Sequence, residues 1–182
     1  MGNIMHMNEQ GDNNYLGKKI KLPNNKILFL GSFMDATNKQ FIQNNNISNI
    51  ICCIKPDNAV NNTISIVVDE DLKLFPFIDT CNYFHIPIND EETENIYKYF
   101  DDSADCINNV IINNQRILIH CYAGISRSPT IVIAYLIKYH NMTTNDALEY
   151  VKKHRQIIEP NEGFIWQLNK YCDEINKLKI NK

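Results

Sequence analysis

The chain has 182 residues, 44% hydrophobic and 21% charged, with a formal net charge of -3. That is enough chain for one domain with a buried core, and the slight acidity excludes a general nucleic-acid binder, which needs a basic face. No apolar run approaches the roughly 18 residues of a membrane span, and the composition is ordinary for a soluble globular protein.

Residues 1–25 are polar and are expected to form a flexible N-terminal segment ahead of a single domain over 26–180. Met1-Gly2-Asn3-Ile4-Met5-His6 carries the glycine of an N-myristoylation signal, but His6 stands where Ser or Thr is preferred. Were Gly2 acylated, the single chain would give only weak, reversible membrane association.

Lys26–Gly31 (KILFLG) predicts a strand and Asp35–Asn44 a short helix. The isoleucine-rich Ser48–Ile54 predicts a second strand. Residues 55–82 are the least regular part, with an acidic Asp69-Glu70-Asp71 and a candidate strand at Ile64–Val68. Tyr83–Ile88 is the next strand, ending at Asn89-Asp90. Ile96, Phe100, Ala104, Ile107 and Ile111 then recur at helical spacing.

Ile117–His120 predicts a short buried strand, and the nearly all-apolar Pro129–His140 a helix inside the domain. Thr143 is the expected N-cap of the next helix, with Asp146 at its third position. The last helix starts after Pro160-Asn161 and carries Phe164, Leu168, Tyr171, Ile175 and Leu178 on one face. Strands alternate with helices early and helices gather late. The expected fold class is therefore α/β, a single domain with a short central mixed β-sheet flanked by α-helices. Clustered asparagines such as Asn44-Asn45-Asn46 read as loop filler.

Six cysteines are present, with no CxxC pair, no signal-peptide pattern, and Cys52-Cys53 adjacent in an apolar run. They read as reduced thiols, mostly core fillers, in a cytosolic protein with no metal site.

The chemistry concentrates in His120-Cys121-Tyr122-Ala123-Gly124-Ile125-Ser126-Arg127-Ser128, a strand-to-helix turn. Backbone N–H groups of such a turn converge on one point and favour negative charge there, both on a thiolate and on a tetrahedral dianion. Cys121 is the candidate nucleophile. Tyr122, Ala123, Gly124, Ile125 and Ser126 would offer amides to phosphate oxygens, and Gly124 suits a curled backbone. Arg127 supplies a planar fork that binds two oxygens at once. Ser128 lies within reach of the sulfur, and Pro129 is read as the first helical residue. His120, pointing to the opposite strand face, is expected to orient the loop from behind.

This constellation resembles the dual-specificity protein phosphatases of the protein tyrosine phosphatase superfamily. The likeness extends to Ile27–Ala36 (ILFLGSFMDA), Ile133-Ala134-Tyr135-Leu136, Pro160-Asn161-Glu162-Gly163-Phe164 and Gln167-Leu168, covering residues 26–178. It implies a protein phosphatase acting on phosphotyrosine and phosphoserine or phosphothreonine through a phosphocysteine intermediate, with no cofactor. It also implies Asp90 as general acid and then base, and Asn161 as a support for the loop or the attacking water. A plain N-cap is the competing reading of Asn161.

The loop has none of the lysines that phosphoinositide phosphatases use, and no tyrosine-bearing recognition loop of tyrosine-only enzymes is found. The short chain, beginning Met-Gly-Asn, resembles the small atypical members. Phosphorylated proteins are the expected partners, in the cytoplasm, with the nucleus or a membrane surface as other locations. The alternatives are a phosphatase-like module that binds phosphoproteins without turnover, or a phosphatase for non-protein monoesters. The connection between Ile54 and Tyr83 is longer than in compact relatives. Some relatives pair an oxidised nucleophile with a second cysteine, which leaves Cys52, Cys53 and Cys81 open to that role or to core packing.

Overall fold

A computed structural model of the chain describes residues 16–55, 77 and 79–180. Its strands are β1 (Lys18–Lys21), β2 (Ile27–Gly31), β3 (Asn49–Cys52), β4 (Asn82–His85) and β5 (Ile117–His120). They form one sheet in the order β1-β2-β5-β3-β4. β1 runs antiparallel to β2, and every other pairing is parallel, which gives the expected mixed sheet. The helices are α1 (Phe33–Thr37), α2 (Lys39–Asn44), α3 (Phe100–Ile112), α4 (Arg127–His140), α5 (Thr144–His154) and α6 (Glu162–Ile180). A 3-10 turn at Tyr97–Tyr99 leads into α3.

Strand side chains alternate between two layers, as a period of two requires. Leu28, Leu30, Ile51, Ile117, Ile119 and Cys121 face the main core with α3 to α6. Phe29, Ile50 and Leu118 face a smaller cluster with Ala36 of α1 and Ile42 of α2. Helix α4 lies at the centre of the main layer, against α3, α5 and α6. Its Ile131, Val132, Ile133, Leu136 and Ile137 have essentially no exposure. Burying each such side chain is worth about 1.5–3 kcal/mol. The four parallel strands end on one edge of the sheet, where α/β proteins place their ligands, and the loop after the central strand β5 opens there.

The structure departs from sequence expectation in three places. The stretch expected to be loose before residue 25 contains β1, in which Ile20 alone turns inward and the lysines turn out. The helix expected over Asp35–Asn44 is two helices, because Asn38 takes an extended backbone. There it ends α1 and caps α2, its side chain accepting from the Phe41 N–H at 3.0 Å. Asparagines also do more than fill loops: Asn25, Asn46, Asn114 and Asn141 hold positive φ between 50° and 63°. Asparagine tolerates that region better than other side chains, and Asn141 uses it to close α4. The strand expected at Ile64–Val68 and residues 1–15 lie outside the described residues.

Candidate active site

Cys121 follows β5 directly and lies at the base of the loop, 1% exposed. Its Sγ accepts the Gly124 N–H at 3.2 Å and the Ser128 hydroxyl at 3.3 Å. Both bonds favour charge on sulfur over a neutral thiol. Burial pushes the nearby Cys52 thiol up to about 12 and the Cys53 thiol well above its ordinary value. All six cysteines are free thiols.

The loop is curled because its carbonyls are taken from outside. Tyr122 O accepts the Phe33 N–H at 3.0 Å, and Ile125 O accepts the Glu159 N–H at 2.8 Å. Ala123 O and Gly124 O accept the Arg155 guanidinium at 3.1 and 2.9 Å. With consecutive carbonyls turned outward, the loop can aim N–H groups at the sulfur side, as the Gly124 N–H does, which is how an anion nest is built. Gly124 has φ +72°, and a Cβ there would stand 2.5 Å from Gly31 O. Tyr122 and Ala123 are exposed, Ile125 and Arg127 half-buried, Gly124 and Ser126 buried.

Helix α4 begins at Arg127 itself, so Pro129 is its third residue and not its first. Proline fits equally well there, because the first N–H groups of a helix have no partner within it. The shift places the N-terminal turn, with its partial positive charge, directly at the loop.

Asp90 reaches the loop from the segment after β4. Its Oδ1 accepts from the Ser126 hydroxyl at 2.6 Å and from Asn161 Nδ2 at 3.0 Å. Its Oδ2 lies 3.6 Å from Arg127 Nε, while Arg127 Nη1 donates to Ile88 O at 3.2 Å. Asn161 takes the N-cap place considered for it, and it meets the loop through its backbone N–H, which donates to the Ser126 hydroxyl at 3.2 Å. Its Oδ1 caps α6 by accepting the Phe164 N–H at 2.9 Å, and its Nδ2 holds Asp90.

His120 stands behind the loop, fully buried, with Nδ1 at 3.4 Å from Cys121 O. Its Nε2 is buried without a hydrogen-bond partner. Burial pushes its pKa down to about 4, so it is a neutral spacer at pH 7. The structure thus brings Cys121, Arg127, Ser128, Asp90 and Asn161 to one site, with His120 beneath it.

Residues 28–174 match the family described as dual specificity phosphatase, catalytic domain. The chain belongs to that family. It is 36% identical over 158 residues to human dual specificity protein phosphatase 16, covering 85% of this chain and 20% of that protein. To human dual specificity protein phosphatase 21 it is 34% identical over 144 residues, covering 79% of this chain and 67% of that one. The crystal structure of human tyrosine phosphatase-like serine/threonine/tyrosine-interacting protein superposes with TM-score 0.72 at 31% identity, covering 88% of this chain and 97% of that one.

Three supports of this phosphatase domain escape sequence reading. Arg155 is wholly buried, the largest such side chain among the described residues, and binds Leu16 O at 2.6 Å besides the two loop carbonyls. It stands in Lys152-Lys153-His154-Arg155, a basic run that looks like an ordinary solvated helix C-terminus. Gly163, in the first turn of α6, lets that helix touch the Asp90 loop: a Cβ there would stand 2.0 Å from Glu92 O. Gln167 fastens the same loop, accepting the Tyr97 N–H and donating to Glu94 O, each at 2.9 Å. The sole sequence signal for Gly163 and Gln167 was the Pro160–Phe164 and Gln167-Leu168 likeness, which assigned them no role, and Arg155 had none.

Proposed function

We propose that this protein hydrolyses phosphotyrosine and phosphoserine or phosphothreonine in proteins, through a phosphocysteine intermediate. The observation that carries the reading is the Cys121 sulfur at the base of an amide-lined loop, with Arg127 and Asp90 at its mouth.

In the first step the thiolate attacks phosphorus and the P–O bond to the side chain breaks. The leaving oxygen takes a proton from Asp90. Arg127 and the loop amides hold the three equatorial oxygens as charge builds on them. In the second step water attacks phosphorus, Asp90 accepts its proton, and the S–P bond breaks to release phosphate. Ser128 donates its hydroxyl to the departing thiolate. Splitting one displacement into two is the advantage of a covalent nucleophile.

Arg127 faces Asp90. A bound phosphate dianion would draw the guanidinium fork to itself and leave Asp90 Oδ2 directed at the leaving oxygen. The free thiols suit a reducing cytosolic or nuclear setting, and peripheral membrane association would require acylation of Gly2.

The test is hydrolysis of an aryl phosphate, phosphotyrosyl and phosphothreonyl peptides, and phosphoinositides by the wild type and by Cys121→Ser. Turnover of the aryl phosphate and of both peptides, lost in the variant, supports the reading. An inert wild type that still binds phosphopeptide would make the chain a binding module, and preference for the lipids would replace the substrate class.

A further inference from the structure

The rim of the pocket is chemically lopsided. On the side of the Asp90 segment it is acidic and exposed, with Glu91 and Glu92 following. On the side of β2 it is apolar. Phe33 and Tyr122 lie with ring centroids 6.5 Å apart and planes within 10° of parallel. Tyr122 is 67% exposed and the adjoining Met34 74% exposed.

This shelf is built, not incidental. β2 and β5 are paired with Gly31 opposite His120, so the residues just past both strand ends are neighbours. The Phe33 N–H then donates to Tyr122 O, which fixes the two rings relative to the nucleophile. Asp35 pins α1 by accepting the Ser32 N–H and hydroxyl at 2.8 and 2.7 Å and the Gly17 N–H at 2.8 Å. An exposed tyrosine stacked on a half-buried phenylalanine, next to an exposed methionine, is apolar surface that a monomer gains nothing by leaving wet.

We infer that Phe33, Met34 and Tyr122 form a specificity shelf for an aromatic or large aliphatic side chain within two residues of the phosphorylated one. This rests on the reading of the chain as a protein phosphatase. A phosphopeptide with its phosphate on Arg127 must lay its neighbours across the rim, at about 3.3–3.6 Å per extended residue. Side chains one or two positions away therefore pass close to the nucleophile, and Tyr122 follows Cys121 directly in the chain. The shelf carries no charge, so it selects by apolar contact and ring stacking, whereas the opposite rim disfavours acidic neighbours.

The experiment compares kcat/KM for paired phosphotyrosyl peptides that differ by Phe or Ala at positions from -2 to +2, with an aryl phosphate as control. The wild type should prefer Phe roughly three- to tenfold at one or more of these positions. Phe33→Ala and Met34→Ala should each lower that preference, and the double variant should abolish it, each read as the Phe-to-Ala ratio of kcat/KM within one variant so that any change in the basal rate cancels. No preference in the wild type, or a preference that survives the double variant, overturns the inference. So does a wild-type dimer, seen by sedimentation, that dissociates in Phe33→Ala and so assigns the shelf to a second copy. Peptides left intact while the aryl phosphate is cleaved would instead fail the protein-phosphatase reading itself.

Discussion

Asp90 is held by four partners' worth of geometry in a small space: Ser126, Asn161, Arg127 and the backbone that places it. Replacing it by alanine removes the proposed proton transfer together with the carboxylate's contacts to Ser126, Asn161 and Arg127, and leaves the bonds to the Cys121 sulfur untouched. Asp90→Ala should lower kcat by about 10²–10⁴, the range for a positioned general acid. The loss should be greatest for alkyl phosphates, whose leaving oxygen needs the proton most, and least for an activated aryl phosphate. A loss independent of the leaving group would contradict the role.

Arg155 acts at one remove, by holding the Ala123 and Gly124 carbonyls. Arg155→Lys keeps the charge but cannot span both carbonyls and Leu16 O together. Inhibition by inorganic phosphate should weaken about tenfold along with kcat/KM, since each unpaired buried carbonyl loosens the nest by about 1–3 kcal/mol. Unchanged phosphate affinity would show that the loop does not depend on this brace.

His120 makes a prediction about stability. Its folded pKa of about 4 lies below the ordinary 6.5, so the unfolded chain binds the proton more readily. The stability it contributes is complete above pH 6.5 and is lost as pH falls toward 4. The loss is about 3 kcal/mol at roughly 1.4 kcal/mol per pH step. Urea unfolding at several pH values should show this slope in the wild type and not in His120→Asn. An equal slope in both would assign the acid lability to other groups.

At the scale of elements, α6 serves as the mould for the segment carrying Asp90. Asn161 caps it and holds Asp90, Gly163 gives the room, and Gln167 fastens Tyr97 and Glu94. Gly163→Ala forces a Cβ against the Glu92 backbone, so the loop must shift. It should lower kcat toward that of Asp90→Ala, and the double variant should be no slower than Asp90→Ala alone, since residues acting as a unit do not add. Additive losses would show that the glycine acts elsewhere.

What could be read in advance follows from which forces are local. The β5 strand, the Thr143 cap and the buried α4 are written in short-range pattern and composition. The Cys121-to-Ser128 loop was legible because a strand, a glycine, an arginine and a helix start occur in one short run. Arg155 was not, because its partners lie 31 and 32 residues away and its neighbours look like a solvated helix end. The β1 strand was missed because a single inward residue, Ile20, makes no pattern. Pro129 was misplaced by two positions because a proline is acceptable anywhere in a first turn.

Across the whole molecule, the site is where three independent structures meet. The central strand delivers the thiol, the segment after β4 delivers the acid, and the α5–α6 connection holds both from outside. Parallel strands put these loops on one edge, and the buried α4 anchors the loop to the main core. The most direct measurement is an acid-quenched turnover of a phosphotyrosyl peptide, with the intact protein weighed and the modified residue mapped. A phosphoryl group on Cys121, absent from Cys121→Ser, is the predicted result; phosphate released with no thiol-bound phosphoryl, or wild-type rates in Cys121→Ser, would contradict it.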